Sequence, residues 1–408
     1  MTAAILFYVA LAAAVITLVV WWAIGDLEGA LVRTATVLVI ACPHALGLAI
    51  PLVIAISTSL GARNGLLIKD RLALERARQL DTVIFDKTGT LTKGEPVLVD
   101  VAATSMDVER VLGLAASVEA DSEHPLARAI VEGAKQRAVE TRPASDFQAV
   151  AGQGAQANVH GHHVQVGGPR LLQELGLAPA PLSADWDAQG RTVLHVVVDR
   201  QVAGIVAVED AIRPESREAV DELHRLGVRV AMITGDSQAV ADSVARRLGI
   251  DEVAAQVLPA DKAAAVRRFQ EGGRKVAMVG DGVNDAPALA TADVGIAIGA
   301  GTDVAVESAG IVLVRSDPRD VVGAIELSRA TYSKMVQNLV WATGYNLVAI
   351  PVAMGLFVPW GIDISMAVGA VAMSLSTIIV AANAQLLRRL KLRREPPQPP
   401  ANPQLAPA

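Results

Sequence analysis

A single cysteine, Cys42, stands in the 408 residues, so no intrachain disulfide can form and a Cys-x-x-Cys metal-binding module is excluded. An excess of positive charge is also missing. The 36 Lys and Arg against 42 Asp and Glu give a net charge of −6, which leaves no nucleic-acid footprint. No cleavable signal is evident, because the first apolar run, residues 3–24, is too long for a signal core. Charge is scarce at both ends of the chain and concentrated in its middle. With 52% apolar residues and a mean hydropathy of +0.40, this is the composition of a membrane protein with one large soluble insertion.

Four spans are predicted. The first covers residues 3–24 and ends in Trp21-Trp22, an interfacial pair. The second covers residues 34–60 and is interrupted by Pro43 and Pro51. Two more fall within residues 335–387, at 336–358 and 366–387, and residues 388–408 form a basic, then Pro-rich, disordered tail. Basic residues flank the insertion and the C-terminal exit, whereas the two short loops are acidic or neutral. The positive-inside rule then puts the insertion and both termini in the cytoplasm, and the lipid bilayer of the cell membrane becomes the chain's first partner.

The insertion is organised around Asp86-Lys87-Thr88-Gly89-Thr90-Leu91-Thr92. The string follows Thr82-Val83-Ile84-Phe85, a β-branched and aromatic run that predicts a buried strand. Asp86 would sit at the strand's carboxyl end, where open parallel sheets bind ligands. A carboxylate held there can attack a phosphoryl group. Further strands at 228–233 and 275–279 lead into Thr234-Gly235-Asp236 and Gly280-Asp281-Gly282-Val283-Asn284-Asp285, each followed by a helical pattern. This alternation predicts a doubly wound parallel sheet. Residues 95–203 interrupt it with their own helices and strands, as an inserted α+β domain.

The seven-residue string resembles the phosphorylation motif of P-type ATPases, pumps that form a covalent aspartyl-phosphate. The resemblance implies an α/β haloacid-dehalogenase-like, Rossmann-like phosphorylation domain at residues 63–94 and 204–330. It also implies a nucleotide-binding domain at 95–203 and an α-helical transmembrane bundle from residues 1–62 and 335–387. Related soluble phosphatases carry a second Asp two places after the nucleophile. Here Thr88 stands there and cannot exchange protons near neutral pH, so the phosphoenzyme should persist. Asp86, Thr234 and Lys262 are then the catalytic set. Asp86, Asp281, Asp285 and the backbone carbonyl of Thr88 are the implied Mg²⁺ ligands.

Ser122-Glu123-His124-Pro125 resembles the Ser-Glu-His-Pro motif of the heavy-metal (class IB) members. That implies ATP binding at Glu119, His124, Gly152 and Gly154. His160-Gly161-His162-His163 reads instead as a hairpin turn, since three His around a Gly fix no ligand geometry. Cys42-Pro43-His44 inside the second span resembles the ion-binding triplet of the copper-transporting subgroup linked to Cu⁺, Cu²⁺ and Ag⁺. Asn338, Tyr345, Asn346, Met373, Ser374 and Ser376 look like that subgroup's further ligands. A metal chaperone is an implied partner.

The actuator motif Thr-Gly-Glu of a complete pump does not occur, and the string opens within what resembles the family's fifth span. The expectation is therefore the C-terminal half of a copper exporter, with phosphorylation encoded and dephosphorylation not. The alternatives are a pump for Zn²⁺ or another divalent ion, a membrane-anchored phosphatase of the dehalogenase type, and an inactive metal-binding fragment.

Overall fold

A computed structural model of the protein describes residues 2–41, 44–150, 152–299 and 303–392. These fall into two compact units, one drawn from Met1–Ile68 and Gly323–Ala408 and the other from Lys69–Val322.

In the second unit, six parallel strands lie in the order Ile311–Leu313, Val294–Ile298, Val276–Gly280, Thr82–Asp86, Arg229–Ile233 and Glu252–Ala254. The central strands read as unbroken apolar runs because helices cover both faces, and Val83, Ile84 and Phe85 are fully buried. From Thr82–Asp86 the chain proceeds first to Arg229–Ile233 on one side. It later returns to Val276–Gly280 on the other. The strand order therefore reverses at the carboxyl end of Thr82–Asp86, which is where such sheets open a crevice.

The intervening residues form a six-stranded antiparallel sheet in the order Thr92–Ala103, Gln201–Ile212, Thr192–Val198, His162–Gly167, Gly154–Val159, Ala144–Val150. Helices Val108–Glu119 and Pro125–Gln136 cover one face through Val111, Leu112 and Ile130 against Val164, Val196 and Val206. The boundaries expected at 94/95 and 203/204 fall inside two long paired strands, whose register runs from Thr92 opposite Ile212 to Ala103 opposite Gly204. The two crossings between the sheets are thus one continuous ribbon.

The first unit is helical: Thr2–Ile24, Leu27–Ala41, His44–Arg63, the long helix Arg319–Ala353 from Gly323 onward, and Met366–Gln385. The loop expected at 25–29 is shorter, because Asp26 accepts from the Gly29 amide at 2.7 Å and the helix restarts at Leu27. The expected second span is divided between two helices that flank residues 42–43. The third starts well before residue 336, because the polar stretch ahead of it stays helical. Among the described residues only Met366–Arg389 is long and apolar enough to cross a bilayer by length and hydropathy; Tyr8–Ile24 and Ile50–Arg63 are shorter apolar helices. Arg33 pairs with both oxygens of Asp363 at 2.6 and 2.8 Å and lies 4.3 Å over the Trp21 ring.

His195 sits on the strand Thr192–Val198, 2% exposed, with no well-formed hydrogen bond to either ring nitrogen among the described residues. Burial drives its pKa down to about 4, and the Gly167 backbone beside it offsets only part of that. A base depressed in this way stays neutral in the fold but takes up a proton on unfolding below its ordinary pKa. Stability is therefore lost as pH falls from about 6.5 toward 4. His195→Leu should remove about 2 kcal/mol of the stability difference between pH 7.5 and pH 5. Thermal or urea unfolding at the two pH values measures this, and superimposable pH profiles for the two proteins would refute it.

Candidate active site

Three loops at the carboxyl ends of neighbouring strands meet beside Asp86. Asp86 ends the strand Thr82–Asp86, Thr234 follows Arg229–Ile233, and Asp281 and Asp285 follow Val276–Gly280. The carboxylate oxygens of Asp86, Asp281 and Asp285 lie within 4.8 Å of one another. Lys262, at the start of the helix Lys262–Phe269, donates to Asp86 at 2.5 Å and to Asp285 at 2.7 Å. Asp86, Asp285 and Lys262 are all buried.

Such a cluster is electrostatically costly. Burial, and then the neighbouring charge of Asp285, push the Asp86 carboxyl up to about 7, against the pull of Lys262. Burial and Asp285 also raise Asp281, while Lys262 and Arg213 work the other way. Burial disfavours the Lys262 ammonium, yet Asp86 and Asp285 outweigh it and hold its pKa above the ordinary value. Three carboxylates facing one ammonium leave excess negative charge on hard oxygen donors. That donor set suits Mg²⁺. Thr88 has extended backbone angles (φ −75°, ψ 131°) in the turn after Asp86.

Glycine is required at one point of this turn. Gly89 has φ +75°, and a Cβ there would stand 2.0 Å from an Asp281 oxygen. The Thr234 hydroxyl donates to Asp236 at 2.8 Å, and Asp236 in turn pairs with the buried Lys87. Two residues that the sequence reading missed hold the same turn. Arg213 donates to the Gly89 carbonyl at 3.0 Å, and Asp210 accepts from the Thr92 hydroxyl at 2.5 Å and the Gly94 amide at 3.0 Å. The signal was present as Asp-x-x-Arg-Pro at a strand-to-helix junction.

In the inserted domain, Glu119 ends the helix Val108–Glu119 and is buried, which raises its pKa despite a hydrogen bond with Ser122. His124 caps the next helix, its Nδ1 accepting from the Leu126 amide at 3.2 Å. Partial burial lowers its pKa, so the ring is neutral with the proton on Nε2. Gly154 has φ +138°, and a Cβ would stand 2.0 Å from the Val166 carbonyl oxygen. Gly152 leaves room for Arg170, whose guanidinium lies 2.9 Å from the place a Cβ would take. Arg170 is a further charged group at this loop that the sequence reading did not single out.

Of the residues read as ligands of a transported ion, Cys42 lies outside the described residues, and His44 opens the helix His44–Arg63. Asn338, Asn346 and Ser376 are buried. The Tyr345 hydroxyl, the Ser376 hydroxyl and the Asn338 amide nitrogen have no partner among the described residues. The Asn338 oxygen accepts from Asn383 at 2.8 Å. Met373 is half-buried. Ser374 is exposed and bonds back to the Ala370 carbonyl, so it does not join the buried group.

The raised pKa of Asp86 sets a pH dependence for cation binding. Without a cation, stability falls as pH rises from about 4 to about 7, because the native carboxyl resists ionising. A divalent cation must displace that proton, so its affinity should weaken about tenfold from pH 7.5 to pH 6. The Mg²⁺ dependence of the melting temperature at the two pH values measures this. Equal affinities at both would refute it.

Residues 80–293 match the haloacid dehalogenase-like hydrolase family. The chain is 53% identical over 387 residues to a copper-exporting P-type ATPase B of Archaeoglobus fulgidus, and 44% identical over 386 residues to one of Enterococcus hirae. Those matches take in 95% and 94% of this chain but 56% and 52% of the relatives, so the chain spans about half the length of the curated relatives it matches. A crystal structure of a zinc-transporting PIB-type ATPase in its E2.Pi state aligns with a TM-score of 0.75 at 34% identity, over 94% of this chain and 63% of that one. The catalytic CPx-ATPase domain CopB-B aligns with a TM-score of 0.52 at 30% identity, over 65% of this chain and 96% of that one. The two sheets of the second unit accordingly have the fold of a phosphorylation domain with an inserted nucleotide-binding domain. The chain belongs to the haloacid dehalogenase-like hydrolases and, within them, to the heavy-metal (class IB) P-type ATPases.

Proposed function

We propose that the chain carries the phosphorylation and ion-binding half of an ATP-driven copper exporter, working through an aspartyl-phosphate on Asp86. The observation that carries this reading is the buried placement of Asp86 at the strand-order reversal, hydrogen-bonded to Lys262 and flanked by Asp281 and Asp285. ATP binds the inserted domain at Glu119, His124, Gly152 and Gly154, with Arg170 close to the same loop. Its γ-phosphoryl group is brought to Asp86. An Asp86 oxygen attacks phosphorus, the bond to the β-phosphate oxygen breaks, and ADP leaves with that electron pair.

Lys262 follows the developing negative charge, moving its hydrogen bonds from carboxylate to phosphoryl oxygens. Thr234 offers a hydroxyl to the same oxygens. Mg²⁺, held by Asp86, Asp281, Asp285 and the Thr88 carbonyl, would supply charge neutralisation between the phosphates and the carboxylates. Thr88 keeps water from being activated as it would be by an acidic side chain at its place.

The helical unit supplies the ion path across the bilayer, with the second unit and both termini on the cytoplasmic side. Cys42 and His44 bind the ion, and Tyr345, Asn346, Met373 and Ser376 complete its surroundings. Sulfur from Cys42 and Met373 favours Cu⁺ or Ag⁺, and the His44 imidazole admits Cu²⁺. The names of the relatives, copper-exporting P-type ATPases, support the same ion class. A second reading, Zn²⁺ as the cargo, draws on that imidazole and on the likeness to a zinc-transporting pump.

Purified chain given γ-labelled ATP and Mg²⁺ should acquire an acid-stable, hydroxylamine-labile label. Asp86→Asn should abolish it, and Lys262→Ala should slow its formation by about a hundredfold. Parallel samples with Cu⁺, Ag⁺, Cu²⁺ and Zn²⁺ rank the cargo by stimulation. A label that survives in Asp86→Asn would overturn the assignment.

A further inference from the structure

The His160-Gly161-His162-His163 segment takes no part in the chemistry above. It forms a two-residue hairpin turn between Gly154–Val159 and His162–Gly167, with Val159 opposite His162. His160 has φ +54° and Gly161 φ +85°. A second tight turn, Asp199-Arg200 (φ +47° and +66°), lies beside it, because Thr192–Val198 pairs with His162–Gly167 and puts Val164 opposite Val198.

The neighbouring turn supplies what the sequence motif lacks, a fixed orientation. The Asp199 amide donates to the His163 carbonyl at 3.0 Å, and the His163 amide donates to one Asp199 oxygen at 3.0 Å. The backbone of Asp199 is therefore tied to His163, and one carboxylate oxygen is fixed by the His163 amide. Its other oxygen meets His162 Nδ1 at 2.6 Å. A carboxylate only accepts, so Nδ1 carries a proton, and in the neutral ring the Nε2 lone pair is then the one left for a ligand. A carboxylate behind Nδ1 with Nε2 free is the arrangement that orients imidazoles toward metals and raises their basicity. The His162 side chain is 44% exposed, so this lone pair is open to an incoming ion.

The side chain of His163 points to the opposite face of its strand, as the two-residue period requires. His160, at the turn, is exposed. Two imidazoles with open coordination positions suit a borderline divalent ion, and among first-row ions such nitrogen sites hold Cu²⁺ most tightly. The only three metal-type side chains whose ligand atoms cluster within 4.8 Å among the described residues are Asp86, Asp281 and Asp285. A site made of two imidazoles leaves its other positions to water, so its affinity would be modest.

We propose that the hairpin is a second cation site, taking Cu²⁺ through His162 Nε2 and His160, with Asp199 as the positioning residue. The test uses the full chain titrated with aqueous Cu²⁺ and read by electron paramagnetic resonance and calorimetry. Wild type should bind one equivalent more than His160→Asn/His162→Asn does, and the nitrogen hyperfine structure of that extra equivalent should be missing from the double variant, which keeps only what the Cys42/His44 region binds. His160→Asn keeps a residue suited to the left-handed turn, and matching metal-free melting temperatures establish that the fold is intact. Asp199→Asn should keep the site but weaken it about tenfold, and His163→Ala should leave the stoichiometry unchanged. An unchanged equivalent count and nitrogen pattern in the double variant would overturn the proposal. So would an Asp199→Asn affinity equal to that of wild type.

Discussion

Three carboxylates sharing one buried ammonium are the constraint on which the second unit depends. Two like charges within 4.8 Å of each other repel by about 3 kcal/mol or more at an effective dielectric of 20. A flexible scaffold would relieve that by letting the side chains part. Here the backbone forbids it. Asp86 ends a strand bonded on both sides, and its neighbours Val83, Ile84 and Phe85 are fully buried. Asp285 sits on the turn into the helix Ala286–Thr291. The cluster is therefore held in an electrostatically costly arrangement that a bound cation would relieve. Lys262 offsets part of that cost through its bonds to Asp86 and Asp285, so in the proposed cycle this lysine is structural as well as catalytic.

In the proposed cycle the same loop would couple chemistry to movement. The ribbon of Thr92–Ala103 and Gln201–Ile212 is the connection between the two sheets, and both of its lower ends are tied to the turn that carries Asp86. Asp210 holds Thr92 and Gly94, while Arg213 holds the carbonyl of Gly89. Gly89 also touches Asp281 through the space a Cβ would fill. A swing of the inserted domain would therefore strain the turn beside Asp86. In the proposed cycle, that is how nucleotide closure and the position of Asp86 become linked.

Much of this was legible because chemistry follows strands. The runs ending at Phe85, Ile233 and Val279 each announce a buried strand, and the polar residues directly after them are the ones that converge. Local signals failed where long-range pairing decides. Nothing in the sequence around residue 94 says that Thr92–Ala103 is one strand, since its partner lies about a hundred residues on. Asp210 and Arg213 were overlooked for the same reason, because their partners are across that gap. The helix Arg319–Ala353 was cut short by reading hydropathy alone, since its first half is polar. His162 looked like part of a featureless turn because Asp199, which orients it, comes from another hairpin.

Hydrogen bonding sorts the proposed ion ligands of the helical unit more sharply than sequence did. An unsatisfied buried polar group costs about 1 to 3 kcal/mol. Serine and threonine avoid that cost in an apolar helix by bonding back one turn, as Ser374 does to Ala370 and Thr377 to Met373. The hydroxyls of Tyr345 and Ser376 do not, although Ser376 has the same option and is buried. Hydroxyl oxygens left open in this way are suited to a cation. The open group on Asn338 is its amide nitrogen, a donor, and its oxygen already serves Asn383, which also accepts from Lys334. An amide so engaged ties Arg319–Ala353 to Met366–Gln385. Within the proposed path, the ion would then sit at the level of Tyr345 and Ser376, with Asn338 in the frame around it.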